Sequence, residues 1–331
     1  MPFALVLKKP SYPPTLEWTE VDPTPLGPWD VRVTIRAASL NPVDWKIAAQ
    51  DFPGWDRHRI IGVDGSGIIS EVGTSVQDWK QGERVFFHGD LSRPGTLAQE
   101  TVVDSRVLTW LPDEMSFEQG AALPCAGLTA YQGLFRKARV QRDESLLVYG
   151  VAGGVGGFAL QLGIIAGLRV VGLCNSSKMH FANSLIPPEG GRYQILSRDE
   201  NWEEKAKVWN QNQGFDNILS ATDSETLKKD LGRLTYGGHL ISAAGPVDLS
   251  AVEPFGPSPS VHEVALGACY SYSDPRFKKE LGTMGRELAA LVIDGKVNPM
   301  ITEVLVPNHV SNALVRIREG KTMGKLVVLL V

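Results

Sequence analysis

The chain holds only three cysteines in 331 residues, Cys125, Cys174 and Cys269, odd in number, far apart and outside any C-x-x-C spacing. That pattern supports neither a disulfide framework nor a zinc ribbon and reads as buried reduced thiols. The six histidines, His58, His88, His180, His239, His262 and His309, show no paired metal-ligand spacing, and no G-x-S-x-G nucleophile elbow occurs. Metalloenzyme and hydrolase readings lose their usual residues. No block of like charge is present and the formal net charge is −4, so there is no general attraction to a polyanion, a local basic pocket aside, and no nucleic-acid partner is expected. Long apolar runs are missing too: Met1 to Lys9 is broken by Lys8 and Lys9, too short for a signal core or a bilayer span. The expectation is a cytoplasmic protein with no membrane partner. There is no internal repeat, and the clearly loop-biased stretch of the second half is Pro254 to Ser260.

With 43% hydrophobic and 21% charged residues, the chain has the makeup of a globular protein and length for two domains. Short β-like runs come first: Phe3 to Leu7, Val31 to Arg36, Gly67 to Val72, Arg84 to Phe87, Leu97 to Val102 and Val107 to Leu111. Proline and glycine punctuate them, as in an antiparallel barrel. At Ser116 and Gln119 the spacing becomes that of a capping box, and helix-length stretches begin to alternate with apolar strands. Those strands are Ser145 to Tyr149, Arg169 to Leu173, Tyr193 to Leu196, Phe215 to Leu219, His239 to Ala243 and Val264 to Cys269. This grammar predicts a parallel, doubly wound sheet. The tail returns to β-type runs, Glu303 to Val306 and Lys325 to Leu330, around an amphipathic stretch from Val310 to Arg318. The expected division is 1–117 as a first domain completed by 274–331, with 118–273 as a second domain inserted between them.

Leu146 to Tyr149 reads as a buried strand, Gly150-Val151-Ala152-Gly153-Gly154-Val155-Gly156 as a turn, and Gly157 to Ala166 as the helix that follows. Glycines suit such a turn because the backbone must approach a pyrophosphate closely while the helix N-terminus faces the anion. Gly150, Gly153, Gly154, Val155 and Gly156 are therefore candidate dinucleotide contacts. The next strand ends where an NAD enzyme carries an acidic residue for the ribose 2′-hydroxyl, yet here the chain reads Asn175-Ser176-Ser177-Lys178. A carboxylate would repel a 2′-phosphate, whereas hydroxyls and an ammonium bind one, so Ser176, Ser177 and Lys178 favour NADPH over NADH. Arg198, just after the third strand, is a second candidate phosphate partner. The competing reading of Ser-Ser-Lys is an ordinary cap followed by a solvated helix.

Asn41-Pro42-Val43-Asp44-Trp45-Lys46, Gly62-Val63-Asp64-Gly65-Ser66-Gly67, Lys80-Gln81-Gly82-Glu83-Arg84-Val85, Leu128-Thr129-Ala130-Tyr131, the glycine turn and the terminal Gly324-Lys325-Leu326-Val327-Val328-Leu329 recur in order along the chain. Together they resemble the medium-chain dehydrogenase/reductase superfamily, in its zinc-free quinone oxidoreductase-like branch. The resemblance implies an α/β fold: a GroES-like β-barrel domain plus a Rossmann domain with a doubly wound parallel sheet. Zinc-dependent members carry a ligand cysteine and a ligand histidine where this chain has Asn41 and Val63, and a four-cysteine lobe where residues 86–119 hold no cysteine. No metal is expected. The implied activity is NADPH-dependent hydride transfer to a quinone or to the C=C bond of an α,β-unsaturated carbonyl, on small apolar substrates, by a homodimer.

Asn41 and Lys46 are the candidates for holding the developing oxyanion, with Lys46 also a possible proton donor. Their competing readings are a loop-stabilising amide and a surface lysine. Thr129 resembles the family threonine of the nicotinamide ribose region, against a packing role in a helix. Two other functions are carried forward: an NADPH-binding regulatory or structural protein without turnover, and an enoyl-thioester reductase.

Overall fold

Strand signals in the sequence become strands almost throughout the computed structural model, which describes residues 1–50, 59–243, 245–252 and 255–330. His58 and Pro254 lie outside the described residues. In chain order the strands are β1 (Phe3–Leu7), β2 (Leu16–Glu20), β3 (Asp30–Ser39), β4 (Asp64–Val72), β5 (Arg84–His88), β6 (Glu100–Asp104), β7 (Thr109–Trp110), β8 (Ser145–Tyr149), β9 (Arg169–Cys174), β10 (Arg192–Ser197), β11 (Phe215–Ser220), β12 (Leu234–Ser242), β13 (Ser260–Glu263), β14 (Ile301–Leu305) and β15 (Lys325–Leu329). The chain divides into two units, Met1–Leu128 with Leu266–Ile293 and Ile301–Val331, and Thr129–Ala265 with Asp294–Met300.

In the first unit β3 is the central strand, pairing antiparallel with β4, β6 and β15. Val31, Val33 and Ile35 alternate into the core along it, the period-2 burial of a strand with one face covered. The sheet runs β14-β15-β3-β4-β5-β7, so the C-terminal tail does return to this unit. Ser116 opens the helix Phe117–Ala122 with the expected box: its hydroxyl accepts from Gln119 N (3.2 Å) and the Gln119 side chain accepts from Ser116 N (2.9 Å). This helix nevertheless belongs to the first unit, because a Cβ on Gly120 would sit 2.8 Å from Leu111 and 3.3 Å from Phe86 and Ser66. The division therefore falls at Leu128/Thr129, beyond the residue-117 boundary expected from sequence. Residues 266–273 likewise join the first unit, where Tyr270 donates its hydroxyl to the His88 carbonyl. Asn298, placed by sequence in the first domain, is held in the second by Gln161, a buried helix residue that bonds both its N–H and its C=O.

The second unit is a six-stranded, all-parallel sheet in the order β10-β9-β8-β11-β12-β13. Counted from β8 this is 3-2-1-4-5-6, the Rossmann order, with the topological switch between β8 and β11. Leu147, Val171, Ile218 and Leu240 are fully buried across it, the continuous apolar strands of a sheet covered on both faces. The expected strand Val264 to Cys269 is not formed: the edge strand β13 ends at Glu263 and Leu266–Ser271 is a 3-10 helix. A short apolar run without alternation fits either state, and here the register with β12 is taken by Ser260 to Glu263. β2, in which no residue is fully buried, carries too little apolar signal to be read from sequence. No helix among the described residues is long and apolar enough to cross a membrane.

Candidate functional site

β8 ends at Tyr149 and the chain turns at Gly150, whose φ of +68° is a left-handed value that suits glycine. Gly153 N donates to Gly150 O (2.8 Å) and closes the turn, and Val151 N donates to Leu173 O (3.1 Å), fixing it against the end of β9. The helix Gly154–Ile165 follows with Gly153 as its N-cap, a residue with no side chain to satisfy the first N–H groups. Gly156 sits inside the turn, where a Cβ would lie 2.4 Å from Gly150 O and 2.6 Å from Tyr149 O. Gly153, Gly154 and Val155 are partly exposed, so their backbone forms the open side of the cradle.

In the paired register Ser197 of β10 lies beside Cys174 of β9, and Arg198 N donates to Cys174 O (2.8 Å). The segments that leave these strands, Ser176 to Lys178 and Arg198 to Asp199, are therefore neighbours of the glycine turn at the carboxyl edge of β8, β9 and β10. Arg198 reaches back over the Tyr149 ring, 5.8 Å from its centroid. Ser177 is exposed; Lys178 is half-buried, and that burial pulls its ammonium pKa down against the opposing pull of Cys174. Ser176 uses both its N–H and its hydroxyl on one oxygen of Asp199, each at 2.8 Å. Thr129 is buried at the start of a short helix, Thr129–Tyr131, that packs on the glycine-turn helix. Every residue proposed for the cofactor lies in the second unit, and the turn, Ser176 to Lys178 and Arg198 are brought together there.

Asn41 and Lys46 lie in the first unit and are not brought together. Asn41 is buried and its amide is fully engaged: Nδ2 donates to Ser39 O (3.2 Å) and Asp64 Oδ2 (2.7 Å), and Oδ1 accepts from Lys325 Nζ (2.6 Å). Lys46 is exposed on the other face of the helix Pro42–Ala48, its ammonium 5.9 Å from the Trp45 ring centroid. That face is aromatic and cationic, with Arg318 over Tyr12 (3.7 Å) and over Trp45 (5.2 Å). The ammonium partner of Asn41 is thus Lys325 rather than Lys46. A helix turn separates residues 41 and 46 onto different faces.

Around Asn41 lies a buried polar cluster. Asp64 accepts from Cys125 N (2.8 Å) on one oxygen and from Asn41 on the other, with the Lys325 ammonium 3.6 Å away. Asp44 accepts from Asn41 N (2.7 Å) and is completely buried. Burial is the main cause that pushes its carboxyl up to about 7, and Asp64 adds to the rise. A folded pKa above the unfolded one gives stability that is complete below about pH 4 and is lost as pH rises through 7. Asp44→Asn is expected to flatten that loss. Urea unfolding between pH 4.5 and 8 will show the wild type falling by about 2–4 kcal/mol relative to the variant, and parallel curves would refute an Asp44 that titrates in the fold.

Asp64, His88 and Cys125 bring one ligand-type atom each within 4.8 Å of one another, a grouping that sequence spacing did not reveal. They do not fit a zinc ion. Both Asp64 oxygens already accept hydrogen bonds, and the Lys325 ammonium, 3.6 Å from one of them, already balances the carboxylate's charge. Burial pushes the Cys125 thiol up and the His88 pKa down.

Comparison with known proteins agrees with this architecture. The family profile of the alcohol dehydrogenase GroES-like domain matches residues 27–113, and that of the zinc-binding dehydrogenase matches residues 190–328. The chain is 29% identical over 310 residues to quinone oxidoreductase of Mus musculus, covering 91% of this chain and 89% of that protein. It is 30% identical over 340 residues to the highly reducing polyketide synthase Dhc3 of Alternaria cinerariae, covering 98% of this chain but 14% of the synthase. A putative zinc-dependent alcohol dehydrogenase from Rhizobium etli superposes with a TM-score of 0.86 at 23% identity, covering 99% of this chain and 98% of that one. The chain belongs to the medium-chain dehydrogenase/reductase superfamily, in its quinone oxidoreductase-like branch. It is an oxidoreductase.

Proposed function

We propose that the chain binds NADPH at the Gly150–Gly156 turn and reduces quinones or the C=C bond of α,β-unsaturated carbonyls without zinc. The observation that carries this reading is the cradle itself: a glycine turn at the carboxyl edge of a Rossmann-ordered sheet, ending in a helix whose N-cap has no side chain. When bound, a nicotinamide supplies the hydride. The turn's contribution is to present backbone N–H groups to a pyrophosphate, and Gly153 and Gly154 leave that approach clear. Ser177, Lys178 and Arg198 supply a hydroxyl and two cations for a 2′-phosphate. Thr129, fixed on the glycine-turn helix, is assigned to the ribose on the nicotinamide side. The zinc-free reading is supported by Asn41 and Val63 in the ligand positions and by Lys325 beside Asp64. Asn41 has no unused amide hydrogen for an oxyanion, so its assigned role is to hold Asp64 and Lys325 in place.

A second reading, reduction of an enoyl thioester, is favoured by the 30% identity to a segment of a highly reducing polyketide synthase. Both readings share the dinucleotide site. Titration of the purified protein with NADPH and NADH, followed by nicotinamide fluorescence, tests it. Lys178→Ala is expected to weaken NADPH by about tenfold and to leave NADH nearly unchanged. Turnover with free quinones and enones, against turnover with acyl thioesters alone, separates the two substrates. A protein that binds neither nucleotide would end both readings.

A further inference from the structure

Spacing along β9 places no carboxylate at its end, where a dinucleotide fold that reads a ribose 2′-hydroxyl carries one. The fold supplies one from the next strand. Asp199, two residues beyond the end of β10, lays Oδ2 against Ser176 N (2.8 Å), Ser176 Oγ (2.8 Å) and Ser197 Oγ (3.4 Å). Ser197 Oγ in turn accepts from Asp199 N (3.1 Å), so the residue is held through its backbone N–H as well as through Oδ2. The Ser176 N–H and hydroxyl are the main causes that keep the Asp199 carboxyl below its usual range, with Arg198 adding its charge. An anion therefore sits against Ser176 and beside Arg198, on the strand edge assigned above to the phosphate.

We infer that Asp199 is the residue that sets cofactor choice, a carboxylate that occupies the Ser176 donors and opposes a 2′-phosphate while offering an acceptor to a 2′-hydroxyl. The inference rests on the dinucleotide reading of this edge. A phosphate monoester brings close to two negative charges, and for Ser176 to donate to it the Asp199 oxygen must give way. A ribose 2′-hydroxyl needs no such displacement, since it can donate to the carboxylate as it stands. The chain thus carries determinants for both nucleotides on neighbouring strands: cations that favour NADPH and one carboxylate that restrains the preference.

The test is the ratio of NADPH to NADH dissociation constants, measured on the full chain by nicotinamide fluorescence for the wild type, Asp199→Asn, Asp199→Ser and Asp199→Glu. Asparagine keeps an acceptor for Ser176 and removes the charge; glutamate keeps the charge. Asparagine and serine are expected to shift the ratio toward NADPH by roughly tenfold, the scale of one unit charge near a dianion at a solvated surface. Glutamate is expected to stay within about twofold of wild type. A purely structural Asp199 would move both affinities together and leave the ratio unchanged in all three variants, which overturns the inference while nucleotide binding by the wild type preserves the reading beneath it. Wild-type protein that binds neither nucleotide overturns both. Serine provides the same answer should the asparagine variant fail to fold.

Discussion

Gly156→Val is expected to abolish dinucleotide binding, with NADPH affinity falling by more than about a hundredfold, whereas Gly153→Ala keeps its fold and loses about tenfold. The difference follows from where each Cβ would go. At Gly156 it meets backbone on the inner side of the turn, 2.4 Å from Gly150 O and 2.5 Å from Gly150 C, and backbone cannot rotate out of the way as a side chain can. The turn must open, which carries the helix Gly154–Ile165 away from the end of β8 and disperses the N–H groups that face the cradle. At Gly153 the added methyl comes no closer to the described residues than 3.3 Å from Gly150 O, a contact relieved by a shift of a few tenths of an ångström. Its cost falls on the ligand, because that side of the turn is the open one. Fluorescence titration read beside a thermal melt checks both: Gly153→Ala should melt within a few degrees of wild type and still bind weakly. A Gly156→Val protein that binds NADPH at wild-type strength would show that the turn is not the dinucleotide cradle.

The two halves of the candidate site differ in how far they could be read from sequence, and the reason is distance along the chain. The glycine turn is local: strand, turn and helix are consecutive, so Gly150, Gly153 and Gly156 declare themselves by spacing. Ser176 to Lys178 and Arg198 are legible for the same reason, each lying just past the end of a strand whose apolar run is plain. Asp199 stood next to Arg198 in the sequence, but its meeting with Ser176 depends on β9 and β10 being neighbours in register, which the sheet order decides. Lys325 is further still from Asn41 and Asp64, and the only signal for it is its place in the terminal Gly-Lys-Leu-Val-Val-Leu run. Nothing in that run shows that β15 pairs with β3 and delivers the ammonium beside β4. Lys46, by contrast, is legible in the Asn-Pro-Val-Asp-Trp-Lys segment, but its exposure is decided by the helix Pro42–Ala48.

Lys325→Met should be among the most destabilising single changes in the first unit, at about 3–5 kcal/mol, because it leaves Asp64 buried without its cation. Both side chains are almost fully excluded from solvent, so screening does little to soften the loss. Asn41 loses the donor to its Oδ1 at the same time, and the carbonyl of Leu40 loses a bond at 3.3 Å. Methionine fills a similar volume, so packing alone does not account for a drop of that size. The double variant Lys325→Met/Asp64→Asn removes charge from both partners and is expected to recover part of the loss. Urea unfolding of the two single variants and the double variant gives that coupling directly, and single effects that simply add would show that the pair is not interacting. The pH response sharpens the test. Lys325 helps hold the Asp44 carboxyl down against burial, so removing it lifts the Asp44 pKa further above about 7 and extends the stability loss to higher pH. The Lys325→Met penalty should therefore grow as pH rises through neutrality, whereas a side chain lost only from packing would cost the same at every pH.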